Sequence, residues 1–245
     1  MRILALDTAT SACTVAVVDG ERVLAELTLQ VPRAHSTRLM PLVAQALKES
    51  GLDRRDLDAV AVGVGPGSFT GLRIGLATAK GLAFALDKPC VGVCTLKAMA
   101  YGTGAQEGLV VSLLDARRGQ VYAGIYAAGG RDPAAWEELV GPSHLSLDRL
   151  AELLHRLRTE RAVARGPVTV CGDVAVSYGP TLGLGDALRL APPGAMLPRG
   201  WAVAMVGAAD LARGRAVPPD ALTPLYLKKS EAETLWEARR QASSP

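Results

Sequence analysis

The chain has 245 residues, enough for one to two domains and for a core that needs no disulfide or metal staple. Apolar residues make up 49% and charged residues 21%, which excludes disorder for most of the length, and the net charge of +3, split +2 and +1 about residue 104, lacks the electrostatic footprint of a stand-alone nucleic-acid binder. Forty alanines and 26 glycines against 4% aromatics require many elements to approach one another through small residues.

The chain opens with Ile3–Leu6, a short apolar run ending in Asp7, followed by a second run, Thr14–Val18, closed by Asp19-Gly20. Asp-Gly between two such runs is a hairpin signal. Val23, Ala25, Leu27 and Leu29 then alternate as in a half-buried strand, so the opening is a three-stranded antiparallel meander. Over 36–50 the period changes: Leu39, Leu42, Val43, Ala46 and Leu47 share one helical face, and Gly51 is a C-terminal stop. Pro41 is expected in or near the first turn, where its missing N–H costs least. A buried strand over 58–64, a glycine-rich loop, a helix over 70–86 and a strand over 90–93 complete the order βββαβαβ. That order predicts an α/β fold of ribonuclease-H-like topology.

The second half repeats the pattern. Leu109–Asp115 is again an apolar run ending in Asp, Arg117-Arg118-Gly119 is a turn, and Gln120–Ala127 and Trp136–Val140 read as strands. Residues 147–158 read as a helix, Val168–Cys171 as a strand and Trp201–Ala212 as a helix, with turn-rich loops at 129–133 and 179–194. The echo predicts a duplication: a first lobe over 1–104, a second over 105–230 that is smaller in sheet, linker chemistry near 101–108, and a polar tail over 231–245. The four cysteines are scattered and form no CxxC pair, and the longest charge-free stretch, Ala59–Leu72, is 14 residues and too broken to span a membrane. Asp7 interrupts the first apolar run, so no signal peptide and a cytoplasmic location are expected.

The candidate chemistry lies in Gly63-Val64-Gly65-Pro66-Gly67-Ser68-Phe69-Thr70-Gly71-Leu72-Arg73-Ile74-Gly75, which joins a buried strand to a helix. Ser68 or Thr70 can cap that helix, and its free N–H groups can hold an anion. The segment is neither a Walker loop, since Leu72-Arg73 stands where Lys-Ser/Thr is required, nor a dinucleotide fingerprint. For Gly65, Gly67, Ser68 and Thr70 a phosphate vicinity and a purely structural turn remain equal readings; Asp7 and Asp115 could face a Mg²⁺–phosphate complex beside them, but the plain turn reading leads there because Asp suits turns. Gly71, Gly75, Ala79 and Ala83 form a small-residue stripe, flanked by Leu72 and Leu76. It suits packing on the chain's own sheet or on a second protein. In the second case a partner surface of Leu39, Met40, Val43 and the stripe is expected. His35, His144 and His155 are far apart, so no helical metal pair exists, and His35 reads as a capping or exposed residue.

The block Gly65–Gly75 resembles the signature of the TsaB family, also called YeaZ, and Leu4–Thr10, Asp115-Ala116-Arg117 and Pro224-Leu225-Tyr226-Leu227 are similar to it as well. The resemblance covers the chain to about residue 230. It implies a duplicated actin-like ATPase fold and a part in making threonylcarbamoyl-adenosine next to the tRNA anticodon. It implies a non-catalytic paralogue of the transferase subunit TsaD, pairing with it through first-lobe helices and recruiting the ATPase TsaE. Alone, the chain is expected to form a homodimer through those helices and to meet tRNA only through the complex. No cofactor is expected to be held firmly, with ATP and Mg²⁺ at the level of the complex. The catalytic paralogue carries a metal-binding His-x-x-x-His after the fifth strand, where this chain has Thr95-Leu96-Lys97-Ala98-Met99. No metal is therefore expected, and a description of the family as glycoproteases finds no support in the residues. The alternative is an active small-molecule kinase or metal-dependent transferase of the same fold.

Overall fold

A computed structural model of the chain describes residues 1–30, 34–161 and 166–228; the expected tail over 231–245 lies outside them. The first sheet runs β3-β2-β1-β4-β5, from β1 (Arg2–Asp7), β2 (Ala12–Asp19), β3 (Arg22–Gln30), β4 (Ala59–Gly65) and β5 (Cys90–Cys94). The second runs β8-β7-β6-β9-β10, from β6 (Leu109–Arg117), β7 (Gln120–Ala127), β8 (Glu137–Ser146), β9 (Val168–Cys171) and β10 (Leu188–Leu190). In each, a meander of three strands is extended by two parallel strands on the side of its first strand. Leu4 pairs with Val17 and Val60, and Leu109 correspondingly with Ala127 and Val168. The duplication is therefore one of topology.

The helices are α1 (His35–Ser50), α2 (Phe69–Leu86), α3 (Thr95–Gly102), α4 (Leu147–Glu160), the single turn α5 (Ala175–Tyr178) and α6 (Gly200–Ala212). β1 is apolar without alternation because helices cover both faces of its sheet. Leu4, Leu6, Val60 and Val62 meet α1 and α2 on one side, while Ile3, Ala5, Ala59 and Ala61 meet α6 on the other. Each such Leu, Ile or Val contributes about 1.5–3 kcal/mol of burial.

The last helix of each half is exchanged. α6 comes from the second half yet packs on β1, β2, β4 and β5. Its start is pinned there: the Gly200 N–H donates to Thr14 Oγ1 at 2.9 Å, the Trp201 N–H donates to Glu26 Oε1 at 3.2 Å, and Arg199 pairs with Glu26. α3 packs on β6 and β7, with the Ser112 hydroxyl donating to the Leu96 carbonyl at 2.8 Å. The chain then returns along the first sheet, where Val217 bridges Cys90 and the Leu225 N–H donates to the Val64 carbonyl at 2.8 Å.

Several expectations need correction. The second sheet is not smaller: the loop read over 179–194 contains β10, which gives it five strands. Tyr101 and Gly102, read as linker, end α3, where Tyr101 packs against Trp136 and Trp201 at centroid distances of 5.7 and 5.5 Å. Pro41 lies inside α1, not in its first turn. It is tolerated because Pro41 and Thr37, whose carbonyl it leaves without its N–H, are both exposed to water. His35 is buried, and its Nε2–H donates to the Thr10 carbonyl at 2.9 Å.

The largest correction concerns the expected partner surface. Leu39, Val43, Gly71, Leu72, Gly75, Leu76, Ala79 and Ala83 are all buried within the first lobe. The small residues let α2 lie against the β1–β2 turn: a Cβ on Gly71 would fall 2.0 Å from the Thr8 carbonyl oxygen, and one on Gly75 would fall 2.4 Å from Thr8 Oγ1. Of the expected set only Met40, 48% exposed, faces outward. The outward side of α2 instead carries Ala77, Gly81, Ala85 and Phe84, the last 82% exposed.

Candidate functional site

The two lobes face each other across a cleft of about 590 Å³. Its first-lobe wall is the β1–β2 turn (Ala9, Thr10, Ser11) and the start of α2 (Pro66 to Thr70); its second-lobe wall is Leu114 to Arg117, Tyr122 and Asp173. The segment Leu225–Lys228 crosses between them, with Lys228 Nζ 3.5 Å from the Ala116 carbonyl.

Of the residues expected near a phosphate, Gly67, Ser68, Thr70 and Asp115 line this cleft. Gly65 does not; it is buried against Leu72 and the Leu225 carbonyl. The glycine loop is folded onto its neighbours. The Ser68 N–H donates to the Ala9 carbonyl at 2.7 Å, and Ser68 Oγ caps α2 by accepting from the Gly71 N–H at 3.2 Å. Gly67 allows that contact, since a Cβ there would lie 2.2 Å from the Ala9 oxygen.

Asp7 is absent from the cleft and fully buried. Its Oδ1 accepts the Ala9 N–H at 2.7 Å and its Oδ2 accepts the Thr95 hydroxyl at 2.8 Å. Gly63 makes room for it, because a Cβ there would fall 1.9 Å from Oδ2. Burial pushes its pKa up to about 6, against the opposing effect of the two hydrogen bonds. Thr95 and Met99 have no exposed surface. Among the described residues no three His, Cys, Asp or Glu side chains form a metal-holding group.

On the opposite wall Asp115 Oδ1 accepts the Arg117 N–H at 2.8 Å, and Asp173 Oδ1 accepts the Asp115 N–H at 3.0 Å. Asp173 is held above the usual carboxylate range, first by burial and also by the charge of Asp115. Tyr226 stacks on Phe69 with centroids 4.5 Å apart, Arg73 lies 4.0 Å from the Phe69 centroid, and Arg73 Nε donates to the Tyr226 hydroxyl at 3.2 Å. Asp173, Tyr122 and Lys228 escaped the sequence reading because nothing in spacing connects them to the glycine loop. Tyr226 had a signal in Pro224–Leu227, whose place in space the sequence did not supply.

Two lobes of one βββαβαβ topology, each closed by an exchanged helix and facing across a cleft, define the actin-like ATPase and ribonuclease-H-like class. A family profile described as "TsaD: tRNA N6-adenosine threonylcarbamoyltransferase" matches residues 23–190. The tRNA threonylcarbamoyladenosine biosynthesis protein TsaB of Escherichia coli is 36% identical over 235 residues, which is 95% of this chain and 96% of that protein. A Pseudomonas aeruginosa protein, described as uncharacterised with similarity to peptidase YeaZ, superposes with a TM-score of 0.76 at 29% identity, covering 93% of this chain and 99% of that one. The ethanolamine utilization protein EutJ of Carboxydothermus hydrogenoformans shares the fold at 14% identity, with a TM-score of 0.50 over 84% of this chain and 90% of its own. The chain belongs to the TsaB family. No helix among the described residues is long and apolar enough to cross a membrane.

Proposed function

We propose that this chain is a non-catalytic subunit in the cytoplasmic synthesis of threonylcarbamoyl-adenosine on tRNAs that read ANN codons. It pairs with a TsaD-like transferase and helps recruit a TsaE-like ATPase. Any ATP and Mg²⁺ act within that assembly, which also engages the tRNA. The relatives' names support the pathway. The observation that carries the non-catalytic reading is the closed position at the start of α3. Where the resemblance puts the paralogue's two metal-binding histidines, the Thr95 hydroxyl is committed to Asp7 and Met99 lies in the core. Met99 offers only a soft, buried thioether and the Thr95 hydroxyl is already engaged, so the pair does not replace two imidazole ligands.

Pairing is supported by the outward faces of α1 and α2. Among the described residues Met40 and Phe84 are 48% and 82% exposed, which leaves an apolar side chain on each of these two faces for a partner to cover. The same surface would close a homodimer when the partner is absent. Size-exclusion chromatography with and without the TsaD-like subunit tests this. The parent chain is expected to co-elute with the partner, and Phe84→Glu with Met40→Glu to abolish both assemblies while circular dichroism is unchanged. Normal pairing by the double variant would remove this interface. Robust nucleotide turnover by the chain alone would favour the alternative, an active kinase or transferase of the same fold.

A further inference from the structure

Three cations, Arg117, Arg118 and Lys228, stand on or beside the second-lobe side of the cleft, and a scaffold role gives them no task. The two-residue turn between β6 and β7 is Arg118-Gly119, flanked by Arg117. Arg117 and Arg118 are exposed and hold positive φ angles of 66° and 56°. Gly or Asn is the usual occupant of such a position, because a Cβ is disfavoured there. Holding two non-glycine residues in that conformation costs backbone energy; Arg117 lines the cleft and Arg118 follows it at the tip of the turn. Lys228 stands at the base of the same turn, beside the Ala116 carbonyl.

Their field reaches the side chains behind them. His144 is lowered from its ordinary pKa by burial and then by Lys228, while burial raises Tyr122 and the Arg117 charge opposes that rise. Of the acids facing this space, Asp115 accepts the Arg117 N–H and Asp173 accepts the Asp115 N–H. Across the mouth Tyr226 offers a ring that is 41% exposed, backed by Phe69 and Arg73.

We propose that this rim contacts RNA directly: Arg117, Arg118 and Lys228 meet neighbouring phosphates, and the Tyr226 ring takes one unstacked base. Cations beside an exposed aromatic ring are the chemistry of single-stranded RNA loops. A free nucleotide triphosphate fits less well, because two of the donors a phosphate cradle would use on the first-lobe wall are engaged. The Ser68 N–H goes to Ala9 and the Gly71 N–H goes to Ser68. The identity of the RNA as tRNA rests on the function proposed above; the surface chemistry does not.

The test is fluorescence anisotropy with an unmodified tRNA transcript over a salt series, using the full chain alone and in complex with its TsaD-like partner. Arg118→Gly suits the backbone of the turn, so Arg118→Gly/Lys228→Gln removes two charges with the fold kept. This variant is expected to bind roughly ten-fold more weakly and to flatten the log–log salt slope by about 1.4, at about 0.7 per phosphate contact on a single strand. Tyr226→Leu is expected to weaken binding about ten-fold, the scale of one lost base stack, with the slope unchanged. Unaltered affinity and slope in the charge variant, displacement of the tRNA by millimolar ATP, or equal binding of a duplex DNA would each overturn the proposal. Threonylcarbamoylation by the reconstituted complex separates the two readings. If the parent chain supports it while the variants bind tRNA normally, only the RNA rim fails. If the parent chain does not support it, the proposed function fails whatever the RNA data show.

Discussion

Asp7→Asn is expected to stabilise the protein at neutral pH, against the usual effect of a core substitution. The carboxyl group is fully buried, and its pKa is raised from 3.8 to about 6 by burial. A folded-state pKa above the unfolded value means that the folded chain holds the proton more tightly. Stability is therefore full below the unfolded pKa and falls as pH rises through the folded one. A shift of about two units corresponds to about 3 kcal/mol at neutral pH, and about 2 kcal/mol of this is lost between roughly pH 4.5 and 7.5. Asn is isosteric. Its oxygen can still accept the Ala9 N–H, and its amide can donate to Thr95 Oγ1, so the geometry is retained while the ionisation is removed. The net gain expected is about 0–2 kcal/mol, because the Thr95 hydroxyl must find another acceptor or go without, at a cost of about 1–3 kcal/mol. Urea denaturation of both proteins at the two pH values measures it. A variant less stable than the parent at pH 7.5, or with the same pH dependence, would refute the burial argument.

Gly75→Glu is expected to cost about 3 kcal/mol or more of stability through overpacking and a buried charge, since its Cβ would meet Thr8 Oγ1 at 2.4 Å. A normal melting temperature would contradict this. Ser68→Ala removes the cap of α2 and is expected to cost about 1 kcal/mol in chemical denaturation, with pairing to the TsaD-like partner intact. Glu26→Ala leaves the Trp201 N–H without its acceptor and Arg199 with only the Gly194 carbonyl, with an expected loss of about 2–3 kcal/mol; stability within experimental error of the parent would show that Glu26 does not hold α6 in place.

Most elements were legible because their signals are local. The meander, with its Asp19-Gly20 turn, and the helical phase of Leu39, Val43 and Ala46 fall where the pattern put them. What was illegible was the destination of each face. Gly71, Gly75, Ala79 and Ala83 permit close approach to any backbone, and the sequence does not distinguish the chain's own turn from a second protein's helix. Helix α6 reads correctly as a helix, yet its apolar residues carry no mark of which sheet they cover. β10, only three residues long, is held by its pairing to β9 rather than by any pattern of its own. In the cleft, Asp7 and Asp115 look alike, each closing the apolar stretch of its strand. Thr95, 88 residues away in sequence, makes the first a core group, while the second stays in water.

The exchange of the two closing helices sets the order in which this protein can be made. When the first 104 residues have left the ribosome, the face of their sheet formed by Ile3, Ala5, Ala61 and Val91 has no cover, because the helix that seals it is translated about 100 residues later. At about 5–20 residues per second that face stays bare for roughly 5–20 s. The first half is thus a dependent folding unit that waits for the end of its own message.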